Sequence, residues 1–90
     1  MSGVARTVAI TNRRGLHARA SAKFVTLAAT LPCEVMVEKD GQAVTARSIM
    51  GLMMLGAAMG DTITIRAEGA GAAEAIAALA ALVEAKFGEE

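Results

Sequence analysis

The chain has no tryptophan, no tyrosine and only two phenylalanines, Phe24 and Phe87. Proteins that hold nucleic acid stack bases on aromatic rings or carry a basic stripe to meet phosphates. Neither feature is present, since nine Lys and Arg balance nine Asp and Glu and no long run of one sign occurs. Nucleic acid is therefore not an expected partner. The single cysteine, Cys33, has no second thiol to pair with and reads as a small core-facing strand residue. No apolar run approaches the ~20 residues of a membrane span. The opening stretch Met1 to Ile10 sets Arg6 among alternating residues, which is not the pattern of a signal peptide. These absences predict a cytoplasmic protein with no membrane partner, and a monomer is expected.

There is one histidine, His17, and no carboxylate pair or cysteine cluster at ligand or triad spacing. No metal, no cofactor and no self-contained catalytic triad are expected. The chain has 90 residues, one domain's worth (1–90), and buries roughly 60–65% of the surface exposed when unfolded. That leaves no room for a substrate pocket with a lid. Chemistry on such a chain belongs at its surface, completed by a partner.

Hydrophobic periodicity divides the chain without a linker. Residues 4–10 alternate and predict a strand. Asn12 to Gly15 form a turn, and Ala20, Phe24, Leu27, Ala28 and Leu31 fall at helical spacing over about 18–31, with Pro32 as terminator. Residues 33–39 alternate strictly, with Cys33, Val35 and Val37 on one face, and Asp40-Gly41 predicts a hairpin to a strand over 42–46. Ser48 precedes a short apolar helix closed by Gly56. Within it Gly51 costs up to about 1 kcal/mol relative to alanine. Residues 62–68 predict a fourth strand with Ile63 and Ile65 inward. The stripe Ala72, Ile76, Leu79, Ala80, Val83 and Phe87 predicts a last helix over 72–87. The order βαββαβα implies an α+β open-faced two-layer sandwich, a four-stranded, mostly antiparallel sheet with three helices on one face.

The most informative segment is N-R-R-G-L-H-A-R-A-S-A-K-F-V, residues 12–25, which sets His17 between a glycine turn and a helix start. The leading N–H groups of a helix and its positive dipole end favour an anion. Arg19, two residues on, carries a planar fork of donors suited to phosphate oxygens. On spacing alone, a lone histidine here is more often a cap or a solvated surface group. The residues by themselves therefore establish an anion-binding histidine and no more.

That segment resembles the active-site run of the HPr family, the histidine-containing phosphocarriers of the phosphoenolpyruvate-dependent phosphotransferase system. A second run, A-R-S-I-M-G-L-M-M-L over 46–55, resembles the family's regulatory-serine segment, and the similarity spans almost the whole chain. The resemblance implies the βαββαβα sandwich and a carrier, not an enzyme. In such a carrier His17 is phosphorylated on Nδ1 by phosphorylated enzyme I and passes the group to an enzyme IIA domain, in sugar uptake or a nitrogen-type branch. It also implies that Arg19 steadies the phosphoryl group, and the backbone at Ala18 and Arg19 is expected to bind it. Many members have proline directly after that arginine, where this chain has Ala20.

Ser48 is a plausible helix N-cap on spacing alone. By resemblance it is the serine phosphorylated by HPr kinase/phosphorylase, a change of roughly −1.5 to −2 charges. Ile49, Met50, Leu52, Met53, Met54 and Leu55 make the short helix apolar nearly all round, so part of it faces outward as partner surface. The resemblance places Ala22, Lys23, Ile49, Met50 and Met53 on a shared docking face. A regulatory binding module on the same fold, acting through Ser48 and the apolar helix 49–55, is the alternative function.

Overall fold

The computed structural model describes residues 3–89. Its elements are β1 (Gly3–Ala9), α1 (Ala18–Ala28), β2 (Val35–Lys39), β3 (Gln42–Thr45), α2 (Ile49–Met54), β4 (Thr62–Glu68) and α3 (Ala72–Glu84), followed by a 3-10 turn, Lys86–Gly88. The four strands form one sheet in the order β1-β4-β2-β3, with every neighbouring pair antiparallel. The expected open-faced sandwich is the fold observed.

Period-two alternation fixes which face meets the helices. Val35 and Val37 of β2 pair across with Ala67 and Ile65 of β4, and all four are buried. Outward residues of β4 are polar: Arg66 forms a two-pronged pair with Glu38 of β2, at 2.8 and 3.2 Å, and Thr64 meets Thr7 of β1 at 2.9 Å. A slip of one residue would exchange these faces, so the pattern specifies the register. Between sheet and helices lie Phe24, Ile10, Leu52, Ile63, Ile65, Ile76, Leu79 and Phe87. α3 packs on β1 and β4, while α1 packs on α2 and α3. The shortest dimension of 20 Å suits two layers about 10 Å apart with their side chains.

The Asp40-Gly41 hairpin forms as its residues dictate. Both take positive φ, 50° and 83°, as a two-residue type I′ connection requires, and Lys39 pairs with Gln42.

Two helices end earlier than their periodicity predicts. α1 stops at Ala28, and residues 29–31 continue only as turns, with Thr30 and Leu31 amides bonded to the Leu27 and Ala28 carbonyls. The residue before proline disfavours helical backbone, so the helix unwinds ahead of Pro32. α3 stops at Glu84, and Lys86 and Phe87 take left-handed φ of 59° and 56°. Phe87 is nonetheless fully buried, and its place in the core is what the apolar stripe registered. The chain reverses over it and runs back toward the start of α1. Among the described residues no helix is long and apolar enough to cross a membrane.

Candidate functional site

Loop 10–17 is tied down before it delivers His17. Gly15 has φ +64°, and a Cβ there would lie 2.3 Å from the Ala57 carbonyl oxygen. Only glycine fits, and the close approach lets the Leu16 amide donate to that same carbonyl at 3.0 Å. Asn12 is fully buried, with its Nδ2 donating to Gly15 O at 2.9 Å and to Glu89 Oε1 at 3.1 Å. Turning its amide over would face an oxygen with two oxygens. Its Oδ1 stays buried without a partner, a cost of about 1–3 kcal/mol in this kind of setting. Buried Ser21 donates from Oγ to Leu16 O at 3.1 Å. These bonds fix the backbone on both sides of His17.

His17 is the N-cap of α1, with extended backbone (φ −73°, ψ −179°), and its Nδ1 accepts from the Arg19 amide at 3.2 Å. The opposite ring nitrogen, Nε2, lies 2.6 Å from Glu89 Oε2. A carboxylate at that distance only accepts, so Nε2 carries the hydrogen and Nδ1 presents a lone pair. The His17 and Glu89 side chains are 21% and 19% exposed, so the pair is covered yet reachable from solvent. The hydrogen bond from His17 holds the Glu89 carboxyl below the usual glutamate range. The Asn12 bond and the nearby Lys23 act the same way, while burial opposes them.

The C-terminal turn that carries Glu89 is itself anchored, since Lys23 Nζ donates to Phe87 O at 2.7 Å. Beside the histidine, Arg13, Arg14, Arg19 and Glu89 line a shallow depression of about 270 Å³. A helix N-terminus, which favours an anion, thus adjoins a depression lined by three arginines. Among the described residues no three His, Cys, Asp or Glu side chains gather into a metal-holding group.

The structure places the expected site residues in two groups. His17, Ala18 and Arg19 stand together at the start of α1, with the Arg19 amide directed at Nδ1. Ala20 is buried within the first turn, and the helix begins on time without proline. Ser48 caps α2, its Oγ accepting from the Gly51 amide at 2.9 Å. Ile49, Met50 and Met53 are exposed, as are Met54 and Met59, while Leu52 and Leu55 of that segment are buried. Ala22 is half-buried and Lys23 exposed on α1, which packs against α2. Lys23, expected only as a docking residue, also holds the C-terminal turn.

Sequence reasoning missed Glu89 and the structural work of Asn12 and Ser21. A glutamate 72 residues from the histidine has no local spacing to betray it. Reading 72–87 as one helix would carry it away along the α3 axis.

Comparison with known proteins gives the family. Residues 4–85 match the family model described as the PTS HPr component phosphorylation site. The phosphocarrier protein HPr of Cupriavidus necator is 46% identical over 84 residues, 93% of this chain and 94% of that protein. The phosphocarrier protein NPr of Shewanella violacea is 42% identical over 89 residues, 99% of this chain and 98% of that one. Among solved structures, HPr-C-His from Thermoanaerobacter tengcongensis superposes with a TM-score of 0.89 at 48% identity, covering 100% of this chain and 99% of that one. With a family match over nearly its whole length and relatives well above the identity at which fold and family are shared, this chain belongs to the HPr family of phosphocarrier proteins of the phosphotransferase system.

Proposed function

We propose that this chain relays a phosphoryl group on His17 Nδ1, taking it from phosphorylated enzyme I and giving it to a histidine of an enzyme IIA domain. The observation that carries the reading is the Nδ1 lone pair aimed at the Arg19 amide, at the positive end of α1. In the step, that lone pair attacks phosphorus while the bond to the donor's nitrogen breaks, its electron pair staying on the donor. Nδ1 leaves the Arg19 amide as it does so, and that amide, with Ala18's, turns to the phosphoryl oxygens. Arg19's guanidinium neutralises the charge on them without changing covalently. The chain acts as a carrier, completed by enzymes on either side.

Ile49, Met50 and Met53, with Ala22 and Lys23, form the docking face in this reading. Exposed methionines adapt to differently shaped partners, and a carrier needs contacts weak enough to release. Ser48 sits at the edge of that face, where HPr kinase/phosphorylase would add a dianion. The phosphate suits the α2 N-terminus but confronts acidic groups of an incoming partner. The protein works in this way as a cytoplasmic monomer of one domain, in either the sugar or the nitrogen-type branch.

The test is intact mass after incubation with phosphoenolpyruvate and enzyme I, for the wild type and His17→Ala. An acid-labile gain of one phosphoryl group, absent from the variant, is the expected result. No gain with a competent enzyme I would sink the carrier reading in favour of a regulatory binding module.

A further inference from the structure

We infer that Glu89 is a positioning residue for phosphoryl transfer, acting through the His17 ring from the side opposite the phosphoryl group; the inference rests on the carrier reading above. Three observations on separate parts of the chain converge on it. Glu89 Oε2 lies 2.6 Å from Nε2, and Oε1 is held by Asn12 Nδ2 at 3.1 Å, so both carboxylate oxygens are committed. Asn12 is fully buried and also grips Gly15 O in the loop that carries His17. The left-handed turn at Lys86 and Phe87, pinned by Lys23 on the Phe87 carbonyl, swings the chain back so that Glu89 arrives there.

Two effects follow from chemistry. The carboxylate keeps the hydrogen on Nε2, leaving Nδ1 as the nucleophilic atom, and it fixes the plane in which that lone pair points. As the N–P bond forms at Nδ1, the ring loses electron density and gains positive charge. Glu89 meets that charge across the Nε2–H bond without taking the proton. The arrangement is preorganised, since both partners are in place before the phosphoryl group arrives. The carboxyl stays ionised under working conditions because His17 and Asn12 both donate to it. When the carrier gives the group up, the N–P electron pair returns to Nδ1 and the ring relaxes to the same tautomer, ready for another cycle.

The test compares wild type, Glu89→Gln and Glu89→Ala by two readouts. The first is ring nitrogen and ring N–H NMR of His17 in the free protein. Wild type should show a pyrrole-type Nε2 whose proton lies far downfield and exchanges slowly, as a short charge-assisted bond requires. Glu89→Ala should lose that proton signal, and Glu89→Gln should keep a weakened one. The second is phosphorylation by saturating phosphorylated enzyme I. Glu89→Ala should lower kcat about tenfold, the fold-change of a charge-assisted hydrogen bond, with KM unchanged, and Glu89→Gln should fall between. Amide spectra that match wild type away from residues 12–17 and 84–89 confirm that the variants fold.

Equal kcat for wild type and Glu89→Ala would overturn the role and leave Glu89 as a tether. A wild-type ring lacking the downfield proton would overturn it as well. Failure of the wild type to accept phosphate from a competent enzyme I would instead sink the carrier reading itself, and the two failures are thereby distinct.

Discussion

The starts of α1 and α2 are built alike and equipped differently. Each begins at an extended residue whose side chain accepts from a backbone amide two or three residues on, His17 from Arg19 at 3.2 Å and Ser48 from Gly51 at 2.9 Å. At α2 the cap is a hydroxyl, and the bond closes the helix end as such caps ordinarily do. At α1 the cap is an imidazole whose accepting atom is, in the proposed relay, also the nucleophile, so that bond would be given up when a phosphoryl group arrives. The longer distance suits a contact that is meant to be exchanged. What separates the two ends is their surroundings: Glu89 and Asn12 behind His17 and three arginines beside it, against Ile49, Met50 and Met53 around Ser48. In the proposed relay, a helix N-terminus supplies the anion affinity, while residues brought from elsewhere decide whether chemistry occurs there.

The glycine near each start gives the largest expected contrast. Gly15→Ala forces a left-handed φ and puts a Cβ against the Ala57 carbonyl at 2.3 Å, so it should cost about 3 kcal/mol or more by denaturant unfolding. At Gly51 the φ is helical and a Cβ would meet Ser48 Oγ and Val44 Cβ at 3.1 Å. Gly51→Ala should stay within about 1 kcal/mol of wild type, because improved helix propensity offsets the crowding. Comparable losses at both sites would show that backbone obstruction does not set the α1 loop apart.

Next in size is Arg19→Ala. The residue is exposed, so folding should be unaffected. Transfer from phosphorylated enzyme I should slow about 100-fold, the loss typical of one preorganised charge-stabilising donor. Met50→Ala, at the equivalent distance into α2, should leave kcat alone and raise KM through weaker docking. If Arg19→Ala changed only KM, the arginine would belong to recognition and not to the transition state.

These contrasts explain what was legible in the chain. Strand alternation at Val35 and Val37, the Asp40-Gly41 turn and the Ser48 cap are local signals, and each appears where its residues predict. The residues around His17 spelled a helix start because N-cap and first-turn chemistry is also local. The ends of α1 and α3 were less legible, since the restriction before Pro32 unwinds α1 earlier than its apolar spacing shows, and the reversal at Lys86 and Phe87 depends on tertiary packing. Phe87 stayed on the apolar stripe although the helix had ended, because burial selects the side chain and not the backbone that presents it. Gly51 looked like a defect in α2, yet it lets that helix settle against Val44 and the capping hydroxyl. Glu89 had no local signature at all.

At α2 the effects should be smaller. Ser48→Ala removes the side-chain acceptor for the Gly51 amide and should cost about 1 kcal/mol, or roughly 4–8 °C in Tm. Ser48→Asp retains a good cap and should keep the stability. It should weaken binding to enzyme I, measured by titration calorimetry, because its carboxylate sits among Ile49, Met50 and Met53. Equal affinity for Ser48→Asp and wild type would remove the proposed regulatory reach of a charge at this position.

The finest test of the contrast is acid titration, because the Glu89 carboxylate bonded to the α1 cap has no counterpart on Ser48. Glu89's carboxyl is held below the glutamate range by the His17 hydrogen bond first, with Asn12 in support and burial opposing. Its folded value is lower than its unfolded one, so its contribution is fully present above the unfolded range. It is lost only as pH falls through the lower folded value. The contact with His17 and the turn over Lys86–Gly88 should therefore persist through the ordinary glutamate range and release only below it, followed by the Glu89 carboxyl carbon shift and the amides of 84–89. The Ser48–Gly51 bond should show no step over the same range. In Glu89→Gln the acid step at α1 should vanish while α2 stays flat; a step that survives would place the acid sensitivity in another carboxylate.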